Sequence, residues 1–302
     1  MDNVLDLVII GAGPAGIAAA IYASRAMMKF VLLERFLPGG EIANSYEIDN
    51  YPGIKHVSGL ELTNRMVEHA ESLGVEFITD EVKELDFDNE VKKVVTYATT
   101  YFTKTIIIAT GATSKKLDAK GSEEFFGKGI SYCATCDGAF YRDKNTAVIG
   151  GGDVAVEDAI YLSRMCNKVY LIHRRNELRA AKILQDKLFS IPNIEIIWDS
   201  VAVEVGGEDL VEYLKIENKL SKKITQLAVD GIFVAVGMNP NSQMVIGKVA
   251  LAEGGWIITD EECETSVKGV FAAGDVRKKS LRQVVTGVSD GATAVYGCER
   301  YI

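Results

Sequence analysis

No stretch of this 302-residue chain approaches the roughly 18 to 20 consecutive apolar residues that a membrane span needs. Nor does the chain open on the basic, apolar pattern of a secretory leader; a short acidic lead runs straight into a strand-like segment. No membrane partner is expected, and the cytoplasm is the expected compartment. Positive charge is not in excess either. Thirty-three Lys and Arg against 42 Asp and Glu leave a net charge of −9, which argues against nucleic acid as a partner. Cysteine is sparse, with five copies, and neither a second CxxC nor a paired histidine lies near the CxxC that is present. A four-ligand structural zinc is therefore disfavoured and no metal is expected. What remains is an ordinary globular composition, 48% hydrophobic and 25% charged, with length enough for two cores.

The one CxxC is Cys133-Ala134-Thr135-Cys136, followed at once by Asp137. Two intervening residues let the sulfurs bond to each other, and the helical turn that such motifs open lowers one thiol pKa, as a working redox pair requires. Asp137 stands where it could shuttle the proton. Cys166, Cys263 and Cys298 are scattered singly and read as small buried hydrophobes or surface thiols. Catalysis explains the pair better than a structural bridge does in a reducing compartment.

Two nucleotide-binding patterns flank this dithiol. Asp6 to Ile10 is an apolar run of strand length that ends at Gly11-Ala12-Gly13-Pro14-Ala15-Gly16, and an alanine-rich helical pattern follows. Strand, glycine turn and helix in that order let a pyrophosphate sit on the helix N-terminus. A second strand, Phe30 to Leu33, then delivers Glu34, an acid placed to bind ribose hydroxyls. The pattern returns at Thr146 to Ile149, Gly150-Gly151-Gly152-Asp153-Val154-Ala155, a helical stretch to Met165 and a strand at Lys168 to Ile172. Glu34 stands 23 positions beyond Gly11, and His173 stands 23 beyond Gly150. In place of the acid comes His173-Arg174-Arg175, with Arg179 close behind. Guanidinium groups hold a ribose 2′-phosphate where a carboxylate would repel it, so this site is expected to take NADPH.

Between the patterns, Pro38 to Gly53 reads as a long loop, Leu60 to Leu73 as a helix and Val75 to Ile108 as short strands. Short strands at Val201 to Val205, Val211 to Ile216 and Ile224 to Val229 lead to Ile232 to Gly237, an echo of Ile106 to Gly111. Ala112 to Lys116 and Met238 to Ser242 are candidate linkers. Trp256 to Ile258 and Val270 to Ala273 read as strands, the latter reaching Gly274-Asp275, and a last helix runs from about Arg282 to Arg300. Some sixty residues are thin for a core of their own. The expected fold is therefore α/β, with two Rossmann-like domains, the second (114–244) inserted in a discontinuous first (1–113 and 245–302).

Taken together, the Gly11 to Gly16 turn, the Cys133 to Asp137 dithiol, the Gly150 to Ala155 turn, His173-Arg174-Arg175 with Arg179, and Phe271 to Asp275 followed by Arg282-Gln283 resemble the low-molecular-weight NADPH-dependent thioredoxin reductases of bacteria and plants. The resemblance covers essentially the whole chain. It implies an NADPH-dependent disulfide reductase of the class II pyridine nucleotide-disulfide oxidoreductase fold, passing electrons from NADPH through FAD and a Cys133–Cys136 disulfide to thioredoxin or a thioredoxin-like protein. FAD would lie on the first domain, with its diphosphate at Gly11, Gly13, Pro14, Ala15 and Gly16, its adenosine ribose at Glu34, and Asp275 beside the ribityl chain. Asn50, Gln283 and Val284 would lie near the isoalloxazine, and Arg35, Gly40, Glu41, Thr110, Gly111, Gly274 and Arg282 complete the candidate flavin contacts. NADPH would take Gly150, Gly152, Asp153, Val154, Ala155 and Glu157, with His173, Arg174, Arg175 and Arg179. Cys136 would meet the flavin, Cys133 would be its partner, and Asp137 would supply the proton.

Because one flavin would serve both sites of the inserted domain, the resemblance also implies a rotation about the two linkers, and a homodimer through the FAD domains. Two positions depart from the family pattern. Val154 stands where Ser or Thr is usual, which removes one hydroxyl from the NADPH pyrophosphate, and Glu41 stands where Gln is more frequent. A glutaredoxin-like or peroxiredoxin-linked partner is the alternative substrate, and a non-catalytic redox sensor is the alternative class.

Overall fold

The computed structural model of the chain describes residues 4–45, 48 and 50–302, so positions 46, 47 and 49 of the expected Pro38 to Gly53 loop lie outside the described residues. The chain divides into two compact units, residues 1–113 with 239–302, and residues 114–238.

Unit 1 is built outward from β1 (Val4–Ile10), whose Leu7, Val8, Ile9 and Ile10 are all buried. At Gly11 the chain turns with φ +103°, and a Cβ there would lie 2.5 Å from the Ala109 carbonyl oxygen, so only glycine fits. Pro14 opens α1 (Pro14–Arg25), where its missing N–H costs nothing. β2 (Phe30–Glu34) pairs parallel with β1, and α2 (Gly59–Ser72), N-capped by the Ser58 hydroxyl, leads to β3 (Phe77–Thr79), parallel with β2. A hairpin, β4 (Val82–Asp86) and β5 (Lys92–Thr96), runs antiparallel into the long β6 (Thr100–Ile108). β6 then turns parallel partner to β1 along one edge. On its other edge, Ile106 to Ile108 pair with β17 (Val270–Ala272), a strand from far along the chain. The closing segment therefore completes the first sheet.

Unit 2 repeats this plan. β8 (Ile130–Ser131), β9 (Asn145–Gly150), β10 (Lys168–Ile172), β11 (Ile194–Ile197) and β15 (Gly231–Ala235) form one parallel sheet in the order β11-β10-β9-β15-β8. Helices α4 (Asp153–Leu162) and α5 (Lys182–Phe189) make the crossovers, while α3 (Ala134–Asp137) is a single turn that carries the dithiol. The antiparallel trio β12 (Ser200–Gly206), β13 (Tyr213–Asn218) and β14 (Ile224–Ala228) corresponds to the hairpin of unit 1, but stands as a separate sheet.

Short strands β7 (Ala112–Ser114) and β16 (Met238–Pro240) carry the chain between the units. The second crossing falls at 238/239 and not at the expected 244/245. Asn241 is the reason, because it is bonded into unit 1: its N–H donates to the Gly111 carbonyl (3.0 Å), its amide to the Thr110 carbonyl (2.9 Å), and its own carbonyl accepts from the Thr110 hydroxyl (2.6 Å). The expected strand at Trp256 to Ile258 is also absent. Only Ile257 makes isolated bridges, to Leu251 and Arg277, since Gly254 and Gly255 turn the chain with φ of +83° and +87°. No helix among the described residues is long and apolar enough to cross a membrane.

The C-terminal helix α6 (Val284–Tyr301) lies against α1 in the first core, where Ala294, Val295 and Cys298 meet Ala15, Ala19 and Ala23. Their close approach is set at Gly291, where a Cβ would fall 2.1 Å from the Ala15 carbonyl oxygen and 3.0 Å from the Ala19 nitrogen. One turn earlier, a Cβ on Gly287 would meet nothing nearer than 3.9 Å. Gly291→Ala should therefore cost roughly 1–3 kcal/mol of overpacking, whereas Gly287→Ala should be neutral or gain about 0.5–1 kcal/mol of helix propensity. Denaturant unfolding of the two variants beside the parent measures the difference.

Candidate functional site

In unit 2 the two sulfurs of Cys133 and Cys136 are joined as a disulfide, with Cα atoms 5.3 Å apart. The turn between them is helical because the Cys133 carbonyl accepts from both the Cys136 and Asp137 N–H groups, at 3.2 and 3.1 Å. Ala134 anchors that turn in the core formed by Ala155, Val156 and Ala159 of α4 and Val148 of β9. The dithiol and the second glycine turn thus share one packed core.

Asp137 is held beneath the disulfide turn by Ser131, whose hydroxyl donates to its Oδ2 at 2.6 Å and accepts from the Cys133 N–H at 3.1 Å. Its Oδ1 is buried and has no hydrogen-bond partner among the described residues. Burial pushes the carboxyl pKa up, and the Ser131 bond pulls it part of the way back. A carboxyl group so placed can hold or release a proton next to the disulfide. The sequence gives no signal for Ser131, since a lone serine two positions before a CxxC carries no spacing pattern. Tyr141, packed edge-on against Phe233 at 5.2 Å, is raised to about 12 by burial and by the neighbouring Asp137 and Asp230 charges, so its hydroxyl stays protonated.

The second glycine turn joins β9 to α4 at Gly150, Gly151 and Gly152. Among the described residues no side chain caps α4, which leaves its first amides free for an anion. Val154 is exposed on the first turn, Glu157 is exposed one turn on, and Ala155 is buried. The structure separates the four basic residues that follow β10. Arg174, Arg175 and Arg179 are exposed, and among the described residues none of their guanidiniums has an ion pair or hydrogen bond. His173 instead turns inward at the strand end: it is 3% exposed, and its ring fills the space where a Cβ on Gly151 would fall, within 2.2 Å. Burial lowers its pKa, which disfavours the charged imidazolium. Asp158, one turn into α4, is desolvated and pushed up to about 7, with the Glu157 charge adding to the effect.

The first glycine turn lies in unit 1. There, too, α1 begins without a side-chain cap, and its first turn carries no acid. A Cβ on Gly16 would meet the Gly11 carbonyl oxygen at 1.7 Å, so the helix sits directly on the turn. Gly40 closes over it, its Cβ position 3.3 Å from the Gly13 Cα, and the Gly39 N–H donates to the Ala12 carbonyl at 2.7 Å. Glu34 ends β2 with one carboxylate oxygen on the Ala12 N–H (2.8 Å) and the other on the Phe36 N–H (3.1 Å), while the Arg35 guanidinium lies over the Phe36 ring. Partial desolvation raises Glu41, opposed by the charge of Arg35.

Farther along the same unit, Gly274 adopts φ +77° against Ala15 and presents Asp275, whose carboxyl is pushed up by burial and held down by Lys279 and Arg282. Arg282 stacks on Trp256, with 3.8 Å between guanidinium carbon and ring centre. Gln283 caps α6 in a reciprocal box with Thr286, and its amide oxygen accepts from Asn50 at 2.9 Å, so two residues 233 positions apart meet. Val284 packs beside Val57 and Leu62. Thr110 spends its hydroxyl on Asn241, next to Gly111. Amides free at the α1 N-terminus, a half-buried acid at Asp275 and the amide pair Asn50–Gln283 form a donor and acceptor set that fits FAD.

The pyridine nucleotide-disulphide oxidoreductase model matches residues 5–291, and the chain belongs to that family. A thioredoxin reductase of Peptoclostridium acidaminophilum is 44% identical over 309 aligned residues, covering 100% of this chain and 98% of that protein. Thioredoxin reductase from Streptococcus pyogenes, a solved structure, is 46% identical with a TM-score of 0.91 and covers 100% of this chain and 99% of its own. The Lactococcus lactis thioredoxin reductase solved in the FR conformation is 45% identical, with 98% of each chain covered and a TM-score of 0.71. Within the family, then, the chain stands among the low-molecular-weight thioredoxin reductases. It is an oxidoreductase acting on a sulfur group, and its cofactors are FAD and NADPH.

Removing the Ser131 hydroxyl removes the one hydrogen bond that favours the charged form of Asp137. Ser131→Ala should therefore move the Asp137 titration to higher pH, since only the burial that raises it would remain. Carboxyl carbon NMR of the oxidised protein against pH reads the midpoint directly, and an unchanged or lower midpoint would contradict the bond.

Proposed function

We propose that the two units divide the reaction, FAD lying on unit 1 and NADPH and the dithiol on unit 2, so that electrons pass from NADPH through FAD and the Cys133–Cys136 disulfide to thioredoxin. FAD supplies the two-electron step that joins a nicotinamide to a disulfide. The residues of this chain hold and orient. The free first amides of α1, with Gly11, Gly13, Pro14, Ala15 and Gly16, receive the flavin diphosphate; Glu34 takes the adenosine ribose; Asp275 lies along the ribityl chain. Asn50 and Gln283 fix the ring through their mutual bond, and the N-terminus of α6 offers positive dipole where reduction gathers negative charge. Gly150, Gly152 and Ala155 receive the NADPH diphosphate, and Arg174, Arg175 and Arg179 take the 2′-phosphate.

The observation that carries the dithiol chemistry is the half-buried Asp137, its carboxyl pKa raised by desolvation, bonded to Ser131 beside the disulfide. Cys136 receives the electrons, Cys133 departs as a thiolate, and Asp137 delivers the proton to it. Exchange with a thioredoxin disulfide through a mixed disulfide then closes the cycle. A cytoplasmic setting is supported by the remaining thiols, Cys166, Cys263 and Cys298, which are buried and unbridged. A homodimer through unit 1 follows from the likeness to the thioredoxin reductases.

Anaerobic NADPH should bleach the flavin band within the mixing time and oxidised thioredoxin should restore it, while NADH bleaches far more slowly. In Asp137→Asn the bleaching should persist and dithiol formation should slow by about 10²–10⁴-fold, the range of general acid catalysis; an unaltered dithiol step would remove Asp137 from the mechanism. Light scattering should return twice the 32.9 kDa chain mass, and a monomer mass would refute the dimer.

A further inference from the structure

A carboxylate on the first turn of a helix that receives a diphosphate needs an explanation. α1 has no acid there, whereas α4 begins with Asp153. Like charge beside the diphosphate weakens binding, so a carboxylate kept there points to other work.

Its position supplies that work. Asp153 Oδ1 accepts the backbone N–H of Ala181 at 2.8 Å, across 28 positions of sequence. Two residues earlier, the Arg179 N–H donates to the carbonyl of Gly151, in the glycine turn itself, at 2.7 Å. From the opposite side, the amide of the buried Gln185 on α5 donates to the Ala180 carbonyl at 2.7 Å. Leu178 and Ala180 are buried while Arg179 between them is exposed. The segment that carries Arg179 is thus pinned at three consecutive residues, two of the pins reaching the glycine turn and the first turn of α4. Diphosphate receptor and 2′-phosphate receptor are held at a fixed spacing.

We propose that Asp153 is a positioning residue for nucleotide discrimination: by anchoring Ala181 it sets Arg179 at the distance from the glycine turn that separates diphosphate from 2′-phosphate, and so determines how strongly the enzyme prefers NADPH to NADH. This rests on the reading of Arg174, Arg175 and Arg179 as the 2′-phosphate receptor. Because NADH has no 2′-phosphate, loosening the segment weakens NADPH and leaves NADH nearly untouched. The conservative amide keeps an acceptor oxygen at the same place, so the anchor needs the oxygen and not the charge.

The test is kcat/KM with NADPH and with NADH on the flavin-loaded enzyme. Asp153→Ala should lower the NADPH/NADH ratio roughly tenfold, and Asp153→Asn should retain it. Ala181→Pro deletes the same hydrogen bond from the donor side at a φ of −56°, which proline tolerates, and should reproduce the alanine result. Adding Asp153→Ala to Arg179→Ala should lower the ratio little further, because both act through one contact. Calorimetry with adenosine 2′,5′-bisphosphate on the oxidised enzyme should show the same roughly tenfold loss without any turnover. An equal loss for both nucleotides, or an asparagine variant as poor as the alanine, would overturn the proposal. A parent enzyme with no preference for NADPH would overturn the arginine reading instead, which keeps the two failures apart.

Discussion

Everything in this molecule depends on a backbone that passes from strand to helix with no room for a side chain. At Gly16 the helix backbone sits so close to the turn that a Cβ would lie 1.7 Å from the Gly11 carbonyl oxygen, and at Gly150 a Cβ would lie 2.5 Å from the Ala235 carbonyl oxygen. That proximity aims uncapped helix amides at the space beyond the strand ends. It also fixes the core, since the small side chains of α1 allow α6 to pack against it. Binding surface and packing therefore share one cause.

The chemistry depends on the opposite device, polar groups deliberately under-partnered. Asp137 has one oxygen bonded and one orphaned. A fully satisfied carboxylate would be a strong anion and a poor proton donor; a wholly unpartnered one would be costly to bury. One donor from Ser131 leaves it between the two. Because Ala134 and α4 share a core, the disulfide turn that carries Asp137 is packed onto the same elements as the second glycine turn.

Much of this was readable in the sequence for physical reasons. Glycine turns and the CxxC are short, contiguous and constrained by sterics, and the 23-residue spacing in both halves reflects a strand-helix-strand unit of one size. Other features lacked such a signal. α5 is eight residues long and β11 four, too short for periodicity to emerge from Lys182 to Ile197. His173 is adjacent to Arg174 and Arg175 in sequence, yet it directly follows β10 and keeps its imidazole in the core under Gly151, whereas the chain bends from Arg174 onward and leaves both arginines exposed. Ser131 and Asp153 act through single hydrogen bonds to residues that only the fold brings near. The crossing at 238/239 leaves no mark in the sequence for the same reason, because the bonds of Asn241 to Thr110 span 131 positions.

The late arrival of β17 also has a bearing on how the protein is made. Residues 114–238 are complete, with all five parallel strands and both crossover helices, when the ribosome has passed position 238. At that moment the older unit still lacks its last strand, and the Ile106 to Ile108 edge of β6 has no partner until Val270 to Ala272 are synthesised. An apolar, open sheet edge is a template for pairing with other chains. The nascent enzyme thus carries an open, apolar strand edge on the domain that begins first and finishes last, for the time it takes to translate some thirty residues, on the order of seconds.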